Sequence, residues 1–285
     1  MESIFTGIDH PVIGIRNMEE AKATYEKLGF TMPPRGLHAA WGTGNWCIMF
    51  ETDYLELRGA VDPIKGAQKM KPFFDKHEEG MMGVALATKD AEACHDELVN
   101  RGFHPQPVRQ LTRDFELPEG TLQPKFSLCF LDQEETAGLM SVVACQHMTP
   151  ELLRRPEWLQ HENGALGVKS MTGIVSDVDA TAEAHANLFG NNSVGRDHVA
   201  VNIKIGADQA IRLTTPDRLP ELHPGLDFLP TGPMPRLLVV TLRVASLTAT
   251  KECLSAYADQ WIERSGAVML HPQAACGVVL EFEEH

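Results

Sequence analysis

Basic residues, long apolar runs, tyrosines and paired cysteines are all scarce in this chain. Lys and Arg number 25 against 39 Asp and Glu, a formal net charge of −14 with no Lys/Arg-rich run. That balance removes the electrostatic attraction behind most nucleic-acid and anionic-membrane binding, so a small-molecule partner is expected, with no nucleic acid and no membrane. Apolar stretches such as LLVV fall far short of a membrane span. The start, MESIFTGIDHPV, lacks a basic region followed by a long apolar one, which leads to the expectation of a cytoplasmic protein. The six cysteines make no C-x-x-C pair and are spread along the chain, as reduced, mostly buried thiols would be. GTGN lacks the rest of a phosphate-binding loop, and no G-x-S-x-G elbow occurs. What is present is a globular composition, 43% hydrophobic and 22% charged over 285 residues, enough for about two domains.

One plan recurs at intervals of roughly 70–90 residues, too long for a solenoid and suited to small supersecondary modules. GIDHPVIGIRNMEEAKATYEKLGF, MMGVALATKDAEACHDELVNRGF, VKSMTGIVSDVDATAEAHANLFG and RLLVVTLRVASLTATKECLSAYADQWIERSG each run from an alternating strand through a polar turn into an amphipathic helix. Gly29, Gly102, Gly190 and Gly266 are expected to stop these helices. Strand-like pairs follow each, such as NWCIMF with DYLELRG and KFSLCFL with LMSVVAC. The fold class is therefore α+β: four βαβββ modules paired into two cupped mixed β-sheets, helices outside. The weak β-pattern of TPELLRRPEWLQHENGA puts a boundary near Gly164, giving domains 1–163 and 164–285. The proline-rich 219–235 is expected as a long loop, because proline denies donors to a central strand.

Ionisable residues on apolar strands mark candidate chemistry. His10 is expected to share a face with Ile8 and Val12, and Glu56 with Tyr54 and Arg58. Buried charge is costly unless paired or bound to metal, so the two are expected to meet. SVVACQHM places Gln146 and His147 at the matching end of module two. His10, Glu56 and His147 are the candidate metal ligands; the alternatives are a satisfied core histidine at 10, a rim carboxylate at 56 and, for His147, a cap on the helix at Thr149. Two imidazoles and a carboxylate suit a divalent transition metal, Fe, Mn, Ni, Co or Zn. In RGLHAAWGTGNW, glycines allow close backbone approach while His38, Trp41, Thr43 and Asn45 offer donors and a flat wall, so a substrate cavity and a tight turn are both open there. Arg35, Arg109 and Arg113 can each hold a carboxylate or simply be solvated.

These segments, with CQHMTPELLRRPEW, resemble the glyoxalase-like branch of the vicinal oxygen chelate superfamily. The resemblance covers all four modules in plan and is confined to the first half at the level of motifs. It implies His10 as first-strand ligand, Glu56 as last-strand ligand, and Gln146 or His147 in module two. Met82 or Gly83 stands where a glyoxalase I would have a further ligand. Glu281 has a ligand-like position with only His271 as an evident partner, so the C-terminal half is expected to be structural.

The expected function is a metal-dependent lyase or isomerase that chelates a small oxygenated metabolite and stabilises an enolate or oxyanion. Glu56, Tyr54 or His38 would move protons, and Trp41, Thr43, Asn45 and Gln146 would bind substrate. The alternatives are an Fe(II) extradiol-type ring-cleaving dioxygenase and a non-catalytic protein that sequesters a small molecule. A monomer and a homodimer both fit four modules in one chain.

Overall fold

A computed structural model describes residues 3–117, 120–226, 232–257, 259–264 and 266–285. Module one comprises β1 (Gly7–Gly14), α1 (Met18–Lys27), β2 (Gly36–His38), β3 (Thr43–Met49) and β4 (Tyr54–Ala60). A linking helix α2 (Lys65–Phe74) leads to module two: β5 (Gly80–Ala87), α3 (Ala91–Asn100), β6 (Arg109–Thr112), β7 (Asp114–Leu117), β8 (Gly120–Leu122), β9 (Lys125–Leu131) and β10 (Ser141–His147). Module three is β11 (Ala165–Ile174), α4 (Val178–Phe189), β12 (Val194–Arg196), β13 (Ala200–Ile205) and β14 (Gln209–Thr214). After the short α5 (Leu219–Leu222), module four is β15 (Arg236–Val244), α6 (Leu247–Cys253), β16 (Trp261–Arg264), β17 (Ala267–Leu270) and β18 (Val279–Glu284). The βαβββ plan is present four times, with β7 and β8 added to module two. Among the described residues no helix is long and apolar enough to cross a membrane.

The module helices share their chemistry as well as their place. Asn17, Asp90, Asp177 and Ser246 cap α1, α3, α4 and α6, each accepting from backbone N–H groups of the first turn. Gly29, Gly102 and Gly190 follow three of these helices at positive φ, as expected. Gly266 does not: α6 ends at Cys253, and Gly266 (φ 76°) instead turns β16 into β17.

Two mixed sheets result. The first has ten strands in the order β6-β9-β10-β5-β1-β4-β3-β2-β7-β8, the second eight, β12-β13-β14-β11-β15-β18-β17-β16. In the first sheet, β6 and β7 are consecutive in sequence yet lie at opposite ends of the strand order, with Arg113 as the residue between them. The chain thus ties the two sides of the sheet together through one residue. One apolar cluster, including Ile8, Leu55, Leu86, Met171, Val240 and Phe282, joins both sheets, while separate clusters line the inside of each cup.

The second cup is filled by the chain itself. Leu219 and Leu226 pack with Ile174, Leu238, Val239, Met269 and Val279. Between them His223 reaches Glu281 (Nδ1 to Oε1, 3.3 Å) and the hydroxyl of Thr172 (2.9 Å), and Thr241 donates to the same carboxylate at 2.8 Å. Arg264 also pairs with Glu281. Two expectations are corrected: the partner of Glu281 is His223 rather than His271, and the proline-rich stretch begins as a buried plug containing α5. Residues 227–231 of that stretch lie outside the described residues.

Asp53 links the sheets by accepting the Val168 N–H at 2.8 Å and the Gln209 amide at 3.2 Å. Burial outweighs these bonds and pushes its carboxyl up to about 6. A folded value above the unfolded one means that ionised Asp53 opposes folding; the penalty is absent below about pH 4 and complete above about pH 6. Asp53→Asn keeps an acceptor for Val168 and is expected to stabilise the protein by about 1 kcal/mol at pH 7 and by nothing at pH 4. Thermal denaturation at the two pH values checks this, and an equal effect at both counts against it.

Candidate functional site

The site begins with a fault in a strand. Opposite β5, Ile8 pairs with Leu86 and His10 with Ala85, so Asp9 is an extra residue in β1, a β-bulge. The bulge reverses which face the next side chains take. Ile8 therefore enters the core shared by the sheets and His10 turns into the cup beside Val12, correcting the expectation that Ile8 and His10 share a face. On β4 the expected alternation holds, and Tyr54, Glu56 and Arg58 all line the cup.

Asp9, missed from the sequence, is the hub of the arrangement. Its carboxylate meets His10 Nδ1 at 2.7 Å and His147 Nε2 at 2.9 Å. His10 Nε2 lies 3.2 Å from Glu56 Oε2, and the Tyr54 ring stacks on the imidazole with centroids 4.2 Å apart. Glu56 also accepts from Arg58 Nη2 at 2.6 Å and from Asn45 Nδ2 at 2.5 Å. A single chain of contacts, Arg58, Glu56, His10, Asp9 and His147, thus passes under the cup.

Burial and pairing compete at each member. For Asp9 and Glu56, burial favours the neutral acid, yet the imidazoles beside Asp9, and Arg58 and His10 beside Glu56, hold both carboxyls well below the ordinary range. Burial pulls His10 down, and the two carboxylates overcome it and raise it. His38 has no such support: burial pushes it down to about 3, so its imidazole is neutral at pH 7, with Nδ1 at 3.2 Å from the Thr43 hydroxyl. Burial likewise raises the Tyr54 phenol and the Cys145 thiol, which stay protonated.

Two donor groups face a metal question. His10 Nε2 and Glu56 Oε2 have the spacing of neighbouring ligands on an ion with bonds of about 2.1 Å, and the Asp9 carboxylate behind Nδ1 is the partner that fixes a ligating imidazole. This pair borders the cavity and fits a divalent ion. Asp9, Cys145 and His147 form the second group, their ligand atoms within 4.8 Å of one another. His147 joins this group through Asp9 rather than meeting Glu56 directly, and its buried Nδ1 has no partner among the described residues.

The cavity itself is small, about 90 Å³, below the ~300–1,000 Å³ of sites for drug-sized ligands. His38 and Trp41 line it, as do Met82 and Gly83 of β5. Thr43 and Asn45 stand behind that wall, bonded to His38 and Glu56. Gln146 points elsewhere: its side-chain oxygen accepts the Ala91 N–H at 3.0 Å at the start of α3, which supports a helix rather than a substrate. Gly36 has no room for a side chain, since a Cβ there would lie 2.4 Å from Asn45 Oδ1 and 2.7 Å from Arg113 Cδ.

Comparison with known proteins bears on this arrangement. The family described as glyoxalase-like domain matches residues 8–189, from β1 through α4. No curated protein sequence matches significantly. Among solved structures, a hypothetical protein from Staphylococcus aureus is 13% identical with a TM-score of 0.71, the alignment covering 98% of this chain and 99% of that one. A variant of 4-hydroxymandelate synthase from Streptomyces coelicolor is 11% identical (TM-score 0.61; 100% and 93% covered), and a variant of homoprotocatechuate 2,3-dioxygenase from Brevibacterium fuscum is also 11% identical (TM-score 0.61; 100% and 72% covered). At such identities the likeness speaks for the fold alone.

Proposed function

Because the chain belongs to the glyoxalase-like domain family, within the vicinal oxygen chelate superfamily, we propose that it is a metal-dependent lyase or isomerase acting on a small oxygenated metabolite in the first cup. The observation that carries this reading is the His10–Glu56 edge of 3.2 Å beside the cavity, with Asp9 orienting the imidazole from behind. His10 and Glu56 would hold the ion, and His147 would fix Asp9. A divalent ion bound there supplies Lewis acidity toward adjacent oxygens of the substrate. Tyr54, kept protonated by burial and stacked on His10, would donate a proton, and His38, neutral and also lining the cavity, would accept one. Arg58 holds the Glu56 carboxylate in place through two of its nitrogens. Filling of the second cup by its own chain supports one reaction site per chain.

Elemental analysis tests this. The purified protein is expected to carry close to one divalent transition metal per chain, and the double variant His10→Ala/Glu56→Gln to carry none. Full metal in the variant, or a wild type that neither holds nor takes up metal, sinks the reading; tight ligand binding in the presence of chelator would then favour a sequestering protein.

A second reading, Fe(II)-dependent ring cleavage, is favoured by the dioxygenase and hydroxymandelate synthase among the structural relatives. Oxygen uptake by the Fe(II)-loaded protein with catechols separates the two.

A further inference from the structure

Arg113 is the one residue between β6 and β7, at the crossing that closes the first cup. It is 2% exposed and lines the cavity. Nη1 donates to Cys47 Sγ at 3.2 Å, while Nε and Nη2 are buried with no hydrogen-bond partner among the described residues. Among the described residues no carboxylate forms an ion pair with it. Cys47 does not stand in for one, because burial pushes its thiol up to about 12 and leaves it neutral. The guanidinium instead lies over Phe115 at 4.7 Å and Phe126 at 5.2 Å. Aromatic faces offset part of the cost of burying a cation, but a guanidinium with an empty edge still forfeits the hydration of that edge. Arg58 shows the contrast: it is less buried, and it has Glu56.

We propose that Arg113 binds the carboxylate of the substrate through its Nε–Nη2 edge, so that the first cup takes a small monocarboxylic acid. The proposal deepens the proposed function by giving its small oxygenated substrate an acid group. Nε and Nη2 are the adjacent donors that match the two oxygens of a carboxylate. One cation between phenyl rings suits a planar monoanion better than a tetrahedral dianion. The cavity volume limits the rest of the molecule to a few atoms, in a space that Arg113, His10 and Glu56 all line. Neither nitrogen meets water in this conformation, so seating the acid takes a side-chain movement in the cavity wall.

Titration calorimetry with acetate, glycolate and pyruvate, their neutral amides and inorganic phosphate tests the assignment, with and without EDTA. At least one acid should bind wild type roughly 10- to 100-fold tighter than its amide, a preference lost in Arg113→Gln and weakened in Arg113→Lys. Failure of all three acids to bind, equal binding of acid and amide, or phosphate binding tightest overturns it. The acid–amide comparison on wild type decides even if Arg113→Gln does not fold. Acid binding that vanishes with EDTA but survives Arg113→Gln puts the anion on the metal, overturning the Arg113 assignment and leaving the metal reading intact. An acid preference retained by His10→Ala/Glu56→Gln, together with metal-free wild type, keeps Arg113 and removes the metal reading.

Discussion

Glu56→Ala is expected to cost about 3–5 kcal/mol of stability, the usual penalty for removing one member of a buried ionic arrangement. The carboxylate is 1% exposed and serves three partners at once, Arg58, Asn45 and His10. Its loss leaves the raised His10 without one of its two anions and a fully buried Asn45 amide without its acceptor, and Asn45 Oδ1 already has no partner among the described residues. Arg58 suffers less, because its side chain is 25% exposed and can turn to water. Glu56→Gln preserves shape and one acceptor and should cost about half as much. Urea unfolding of the metal-free proteins measures both; a loss below about 1 kcal/mol for Glu56→Ala would mean that the network is incidental to the fold.

The second large effect is at Asp9. The two carboxylates, held low in the fold, contribute stability that is complete above their unfolded values near 4 and is lost as the pH falls further. His10, held high, contributes stability that is complete below about pH 6.5 and fades as the pH rises through its raised folded value. Metal-free protein should therefore be most stable between about pH 4.5 and 6.5. Asp9→Asn removes one of the two anions that raise His10, and with it much of the alkaline decline. Melting temperature against pH on EDTA-treated protein, paired with imidazole NMR, tests this. His10 should titrate above 6.5 in wild type and move down in the variant, while His38, pushed down to about 3, stays neutral from pH 5 to 8 in both. Identical profiles for the two proteins would refute the account.

Much of this molecule is written locally and so can be read locally. Apolar alternation, a capping residue at Asn17, Asp90, Asp177 or Ser246, and a 3.6-residue stripe are properties of short segments, which is why the four modules were legible. His10 and Glu56 were legible for the same reason, as ionisable residues on apolar strands. Asp9 was not, because strict alternation turns it away from the cup and only the bulge brings it in. Arg113 was in view only as one of three arginines able to hold a carboxylate; its burial, like the plug with His223, depends on contacts between distant segments, for which periodicity carries no signal. A proline within the central strand, Pro11 beside the bulge, was the one available sign that β1 is irregular. Gln146 misled for the opposite reason: its position in the sequence matched a ligand, and its side chain was already committed to a helix end.

The crossing at Arg113 also sets an order of events in time. The seam it creates between β2 and β7 consists of two residue pairs, Gly36 with Phe115 and Leu37 with Asp114, which meet across most of the first two modules. With two pairs to repay its loop entropy, where β1 and β5 close as long a loop with a full strand of contacts, the seam is expected to form late in folding and to open early in the native state. Ligand binding should then be among the last properties regained on refolding, and fraying of this short seam would give a molecule from solution a way into the cup.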